Sequence, residues 1–68
     1  MKNKFAGRLS ELLEEYHLSK RAFAVLIGVS ATSISDWTNG KIQPTADSII
    51  TVAEFFHVST DYLLGMTD

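Results

Sequence analysis

Apolar residues along the chain recur at helical spacing in separate bursts. Phe5, Leu9, Leu12, Leu13 and Tyr16 follow one another at intervals of four, three, one and three, with Arg8, Ser10, Glu11, Glu14 and Glu15 between them. That stripe predicts an amphipathic helix over about 4–16. Phe23, Ala24 and Ile27 share a face of a second helix, at about 20–27, whose exposed start carries Lys20 and Arg21. A third helix, at about 31–38, has only Ile34 and Trp37 as apolar anchors, with Val29 just before it. Ile49, Val52, Ala53 and Phe56 form the stripe of a fourth helix at about 45–56, and Ile50 and Phe55 fall off it. A short fifth helix at about 60–64 points Tyr62 and Leu63 inward. No stretch alternates as a strand would. The prediction is an all-α, compact five-helix bundle with short connections.

The punctuation agrees with the stripes. Ser19, Ser30, Thr45 and Ser59 each stand just before a predicted helix, where a side-chain oxygen can accept an unpaired backbone N–H of the first turn. Gly28 and Gly65 stand where the second and fifth helices must stop. His17 and His57 occupy capping positions too, and at His17 a glycine would be usual. Asn39-Gly40 signals a turn, and Pro44 biases Gln43 to an extended backbone. Met66-Thr67-Asp68 reads as a tail.

The third helix is the unusual one. Its remaining positions, Ala31, Thr32, Ser33, Ser35 and Asp36, with Asn39 after them, are small or polar. Two anchors and a small polar outer face suit insertion into a groove better than burial on both sides. The start of the second helix raises a related question. A basic residue in a first turn opposes the helix dipole. Lys20 and Arg21 are therefore either phosphate ligands or solvated surface charges.

Charge sharpens this picture. The net charge of −2 argues against a strong nonspecific nucleic-acid binder. Yet all six basic residues, Lys2, Lys4, Arg8, Lys20, Arg21 and Lys41, lie in the first 41 positions, beside four acids. From Ile42 onward there are four acids, Asp47, Glu54, Asp61 and Asp68, and no base. One end of the molecule can present a basic face and the other an acidic one.

The length of 68 residues fits a single domain, and 46% apolar content suffices for one core. There is no cysteine, hence no disulfide and no thiolate metal site. No apolar run approaches the roughly 20 residues of a membrane span, and no apolar stretch follows Lys2 and Lys4 as in a signal peptide. A cytoplasmic location is expected. His17 and His57 are isolated from other ligand types, the serines read as caps, and no glycine-rich phosphate loop exists. No enzymatic activity, metal or cofactor is expected.

Several motifs now fall in order: Arg8-Leu9…Glu11-Leu12, the small Ala24, the turn Gly28-Val29-Ser30, the pair Ile34 and Trp37, Asn39-Gly40-Lys41…Pro44, and Val58-Ser59-Thr60-Asp61-Tyr62-Leu63-Leu64-Gly65. Together they resemble the helix-turn-helix domain of the phage-repressor-like family (Cro-type, XRE-like), over Arg8 to Asp68. The resemblance implies a lambda-repressor-like fold with the motif at about 20–39, formed by helices two and three. Ala24 and Gly28 would let the two backbones approach closely.

It also implies a bacterial or phage-encoded, nucleoid-associated transcriptional regulator. Such a protein binds double-stranded DNA sequence-specifically, is expected to act as a repressor, and reads the major groove with the helix at about 31–38. Lys20 would contact phosphate, with Arg21 turned to backbone or solvent; Ser30 and Ser33 could donate to phosphate or base. Ala31 offers only apolar contact, such as a thymine methyl, and Thr32 offers both kinds. Ser35 and Asp36 come one turn later, and Asn39 and Lys41 would contact phosphate.

Asp36 departs from a pattern that is usually basic or neutral. It could accept from cytosine N4, orient Lys41, or lie along the groove wall and disfavour wrong sequences. So few cations imply about 3–5 released counterions per subunit, which favours a homodimer on a two-fold operator. Leu13 and Tyr16, with Ile50, Phe55, Tyr62 and Met66 near the C-terminus, exceed what the bundle can easily bury, and the last four are the candidate pairing surface. The alternative is a protein-interaction module, or an antitoxin-like partner-binding protein, that keeps the fold with weak or lost DNA binding.

Overall fold

In a computed structural model, residues 3–67 are described. Lys2 and Asp68, two of the charges counted above, lie outside them. The elements are α1 (Phe5–Glu15), α2 (Lys20–Ile27), α3 (Ala31–Thr38), α4 (Ala46–Phe56) and α5 (Thr60–Leu64), with no strand among the described residues. Each agrees with its predicted range to within a residue at either end.

The four predicted N-caps form. Ala22 N–H donates to Ser19 Oγ at 3.0 Å, Ser33 N–H to Ser30 Oγ at 3.1 Å, Ser48 N–H to Thr45 Oγ1 at 3.1 Å, and Tyr62 N–H to Ser59 Oγ at 3.0 Å. All five helices also end alike. The N–H of Leu18, Val29, Lys41, Val58 and Met66 each reaches back five residues, to the carbonyls of Leu13, Ala24, Asp36, Ala53 and Asp61, at 2.8–3.0 Å. The residue before each donor is left-handed: His17, Gly28, Gly40, His57 and Gly65. This is the 6→1 closure of a Schellman motif. Two of the five sites hold histidine, at φ 56° and 58°, where a side chain costs conformational energy that glycine does not. The expected tail is thus tied in at its first residue, Met66.

Gly28 serves this geometry alone. A Cβ there would meet no heavy atom within 4 Å, so close helix approach falls to Ala24, which is buried. At Gly65 both reasons apply, since a Cβ would lie 2.6 Å from Lys4 Cγ.

The core is Phe5, Leu9, Leu12, Leu13, Phe23, Ala24, Ile34, Trp37, Val52, Ala53, Phe56 and Leu63. Leu13, expected among the surplus apolar residues, is buried, because the adjacent pair Leu12 and Leu13 straddles the middle of a stripe covered from several sides. Phe56 anchors an aromatic cluster, stacked on Phe23 at 5.2 Å and 5.1 Å from Tyr16. Trp37 meets Phe5 edge-to-face at 6.1 Å. The buried Ile34 and Trp37 hold α3, which packs against α1 and α2.

Candidate nucleic-acid interface

Ile34 and Trp37 turn one side of α3 into the core. At about 100° per residue, the stripe opposite them is Thr32, Ser35, Asp36 and Asn39, spaced i, i+3, i+4 and i+7. Thr32 and Asn39 are exposed, and Ser35 and Asp36 are half-buried. Ala31 is exposed at the leading end. Thr38 is turned away, its Oγ1 donating back to the carbonyls of Ile34 and Ser35, both at 3.1 Å.

The Ser30 cap extends to Ser33, whose Oγ lies 2.9 Å from Ser30 Oγ. One proton of this pair is used internally, whichever hydroxyl donates. The other hydroxyl still has its proton at the N-terminal end of α3, where backbone N–H groups also favour an anion. Lys20 and Arg21 are exposed at the start of α2, and Lys41 is exposed just after α3. Nine of the ten candidate residues thus lie within 20–39, on α2, α3 and the turn after each, and Lys41 follows two residues later.

Asp36 is not an ion-pair partner of Lys41. Among the described residues its side chain takes no hydrogen bond; only its backbone carbonyl accepts, from Lys41 N–H at 2.9 Å and Ile42 N–H at 3.4 Å. The remaining base of the first half with a described environment near the core, Arg8, is committed elsewhere. Its guanidinium sits 4.4 Å from the Tyr62 ring centroid, and Nε–H donates to Tyr62 O at 3.2 Å.

The four candidate pairing residues do not form one patch. Ile50 and Phe55 lie about 140° apart around α4. Phe55 leans on Phe23, with ring centroids 5.2 Å apart, and is 37% exposed; Tyr62 is half-buried under Arg8. Ile50 and Met66 are the more open, at 47% and 74%.

Two features escaped the sequence reading. Asn3 Oδ1 accepts from Phe5 N–H at 2.9 Å, and Asn3 Nδ2 donates to Gln43 Oε1 at 3.2 Å, tying the start of α1 to the loop after α3. An asparagine just before a helix was the available signal. Val25 and Leu26 are exposed at 76% and 58%. The unbroken apolar run Phe23–Ile27 signalled more apolar surface than one helix face can bury. His17 and His57 serve as left-handed caps, and among the described residues no three metal-ligating side chains cluster.

The helix-turn-helix family model matches residues 9–63, from the middle of α1 through most of α5. The chain belongs to the helix-turn-helix family. It is 30% identical over 64 residues to YobD of Bacillus subtilis (strain 168), an uncharacterized HTH-type transcriptional regulator, covering 94% of this chain and 57% of YobD. It is 34% identical over 61 residues to BcrR of Enterococcus faecalis, an HTH-type transcriptional activator, covering 90% of this chain and 30% of BcrR. The domain thus spans little more than half of one relative and under a third of the other.

Its fold matches that of a transcriptional regulator from Listeria innocua, with a TM-score of 0.90 and 29% identity, covering all of this chain and 64% of that one. It also matches the P22 c2 repressor protein in complex with synthetic operator 9T, with a TM-score of 0.83 and 22% identity, covering 93% of this chain and 96% of that one. The helix-turn-helix domain therefore has the repressor fold that the motifs implied.

Proposed function

We propose that this helix-turn-helix domain, taken as one unit over 1–68, is a sequence-specific double-stranded DNA-binding transcriptional regulator acting as a repressor. The observation that carries the reading is the outer stripe of α3: Thr32, Ser35, Asp36 and Asn39 stand clear of the core on a helix held down by Ile34 and Trp37. A major groove about 12 Å wide admits such a helix. Ala31 and Thr32 enter first and meet base edges, Ala31 through apolar contact and Thr32 through its methyl and hydroxyl. Lys20, Arg21, Lys41, Asn39 and the Ser30–Ser33 hydroxyls hold the flanking phosphates. Occupying an operator is sufficient to repress, whereas activation also requires a contact to the transcription machinery, so bare DNA binding defaults to repression.

Only three exposed cations, Lys20, Arg21 and Lys41, flank the outer stripe of α3, which gives weak electrostatics, about 3–5 released counterions when all phosphate contacts are counted. A homodimer on a two-fold operator doubles those contacts, with half-sites about 34 Å apart. Ile50 and Met66, the more open of the four candidates, supply the apolar surface for pairing, with Phe55 contributing less because it leans on Phe23 from another side of α4 and Tyr62 less because Arg8 covers it. Nothing in this reading requires a cofactor, a metal or a catalytic step. Among the described residues no helix is long and apolar enough to cross a membrane, and the proposed site of action is the nucleoid in the cytoplasm.

Selection of binding sites from genomic DNA tests the proposal. Wild-type protein should enrich a two-fold site, with binding that weakens as salt rises, and Thr32→Ala combined with Lys41→Glu should abolish the enrichment. No enrichment by the wild type would favour a protein-interaction module, for which the exposed Val25–Leu26 pair offers a surface.

A further inference from the structure

The outer stripe of α3 is chemically uneven. Thr32 and Ser35 carry hydroxyls and Asn39 carries an amide, so each can donate or accept. Ala31 can do neither. The Asp36 carboxylate is the one group on that stripe that can only accept. The residue is half-buried, its backbone carbonyl accepts from the N–H groups of Lys41 and Ile42, and among the described residues no side chain neutralises its carboxylate. We infer that Asp36 is a specificity-determining residue that demands an amino group on the facing base edge, and that this base is cytosine. The inference rests on the DNA-binding reading above.

The major groove offers only two base-edge donors, cytosine N4 and adenine N6; guanine and thymine present acceptors there. A carboxylate facing guanine O6 or thymine O4 has no partner and stays close to the phosphates without compensation. Adenine places its N7 acceptor next to N6, so the second carboxylate oxygen faces a lone pair. Cytosine places C5–H next to N4, which carries no such repulsion. Cytosine is therefore the base that a lone acceptor selects.

Asp36 lies four residues after Thr32, about 6 Å further along the helix axis. With base pairs about 3.4 Å apart, the selected cytosine falls about one to two base pairs from the position read by Thr32. The absence of an ion pair between Asp36 and Lys41 matters here. A carboxylate drawn to Lys41 would have part of its charge and of its accepting capacity taken up, which would weaken the selection.

Site selection followed by competition binding, on wild type, Asp36→Ala and Asp36→Asn, tests the assignment. Wild type should select cytosine at one position per half-site, by about 10-fold or more over guanine or thymine. D36A should lose that preference while keeping the others. D36N should move it toward adenine, because an asparagine amide pairs with adenine N6 and N7 together. The same site preference in wild type and D36A, with D36A merely tighter on every sequence, would overturn the assignment and leave only phosphate repulsion. A wild type that selects no site at all overturns the DNA-binding reading as well, and so is distinguishable. Equal thermal melting of the three proteins confirms that the comparison is between folded domains.

Discussion

Helices α3 and α4 are built by the same rules and present opposite surfaces. Each is capped by a hydroxyl that accepts an N–H of its first turn, and each closes with a left-handed residue and a 6→1 bond. Each sends its apolar stripe into the same core. Outside the core they part. The outer side of α3 is small and polar, flanked by Lys20, Arg21 and Lys41. The outer side of α4 carries Ile50, Glu54 and the exposed Asp47, with Asp61 on the next helix. Position in the fold is set by buried residues and caps, which the two helices share. What each can touch is set by solvent-facing residues, which contribute little to stability. Function in this domain is written where the fold is indifferent.

That division is open to attack at several strengths. The largest effect should come from the shared core. Phe23→Ala removes the ring that stacks on Phe56 and meets Phe55, at a cost of about 3–5 kcal/mol. A 68-residue domain has only about 3–10 kcal/mol in total, so circular dichroism should show loss of most of the cooperative melt, and both surfaces should be lost together. Retention of the surface of α4 without that of α3 would show that the two helices do not share one core.

A smaller effect is expected at the pairing surface. Ile50→Asp should lower affinity for a two-fold operator by about 10-fold, while half-site affinity and the melting temperature stay unchanged. Equal loss on both DNAs would place Ile50 outside the dimer contact. Smaller again, Lys41→Ala should weaken binding to every sequence alike and reduce the salt slope by about 1. A change in site preference instead would move Lys41 from phosphate to base.

The smallest effects belong to the helix ends. His17→Gly and His57→Gly should each raise stability by about 0.5–1 kcal/mol, since glycine adopts the left-handed conformation without the Cβ penalty but loses more chain entropy on folding. For a domain of this size that is a rise of about 2–8 °C in Tm, readable by calorimetry, with operator affinity unchanged. A fall in Tm would show that the imidazoles make stabilising contacts of their own.

Much of the fold was legible because it depends on periodicity and on caps, both local in sequence. Phe5 to Tyr16 marked α1, and Ser19, Ser30, Thr45 and Ser59 marked four N-termini. The candidate interface was legible for the same reason: a helix with only Ile34 and Trp37 as anchors exposes whatever else it carries. Contacts between residues far apart were not legible. Arg8 is drawn off the basic face by Tyr62, 54 residues away, and Asn3 is bound to Gln43, 40 away. Nothing in local spacing separates a free cation from one held across the bundle. The same holds for Leu13 and for the four pairing residues, whose exposure depends on which helices cover them.

The central claim is that the outer face of α3 reads DNA, and its most direct test is the affinity of the intact chain for a selected two-fold site across a salt series. The account predicts a preference of at least about 1,000-fold over random DNA and a log–log salt slope of about −3 to −5 per subunit. A slope near zero, or equal affinity for selected and random DNA, would contradict it.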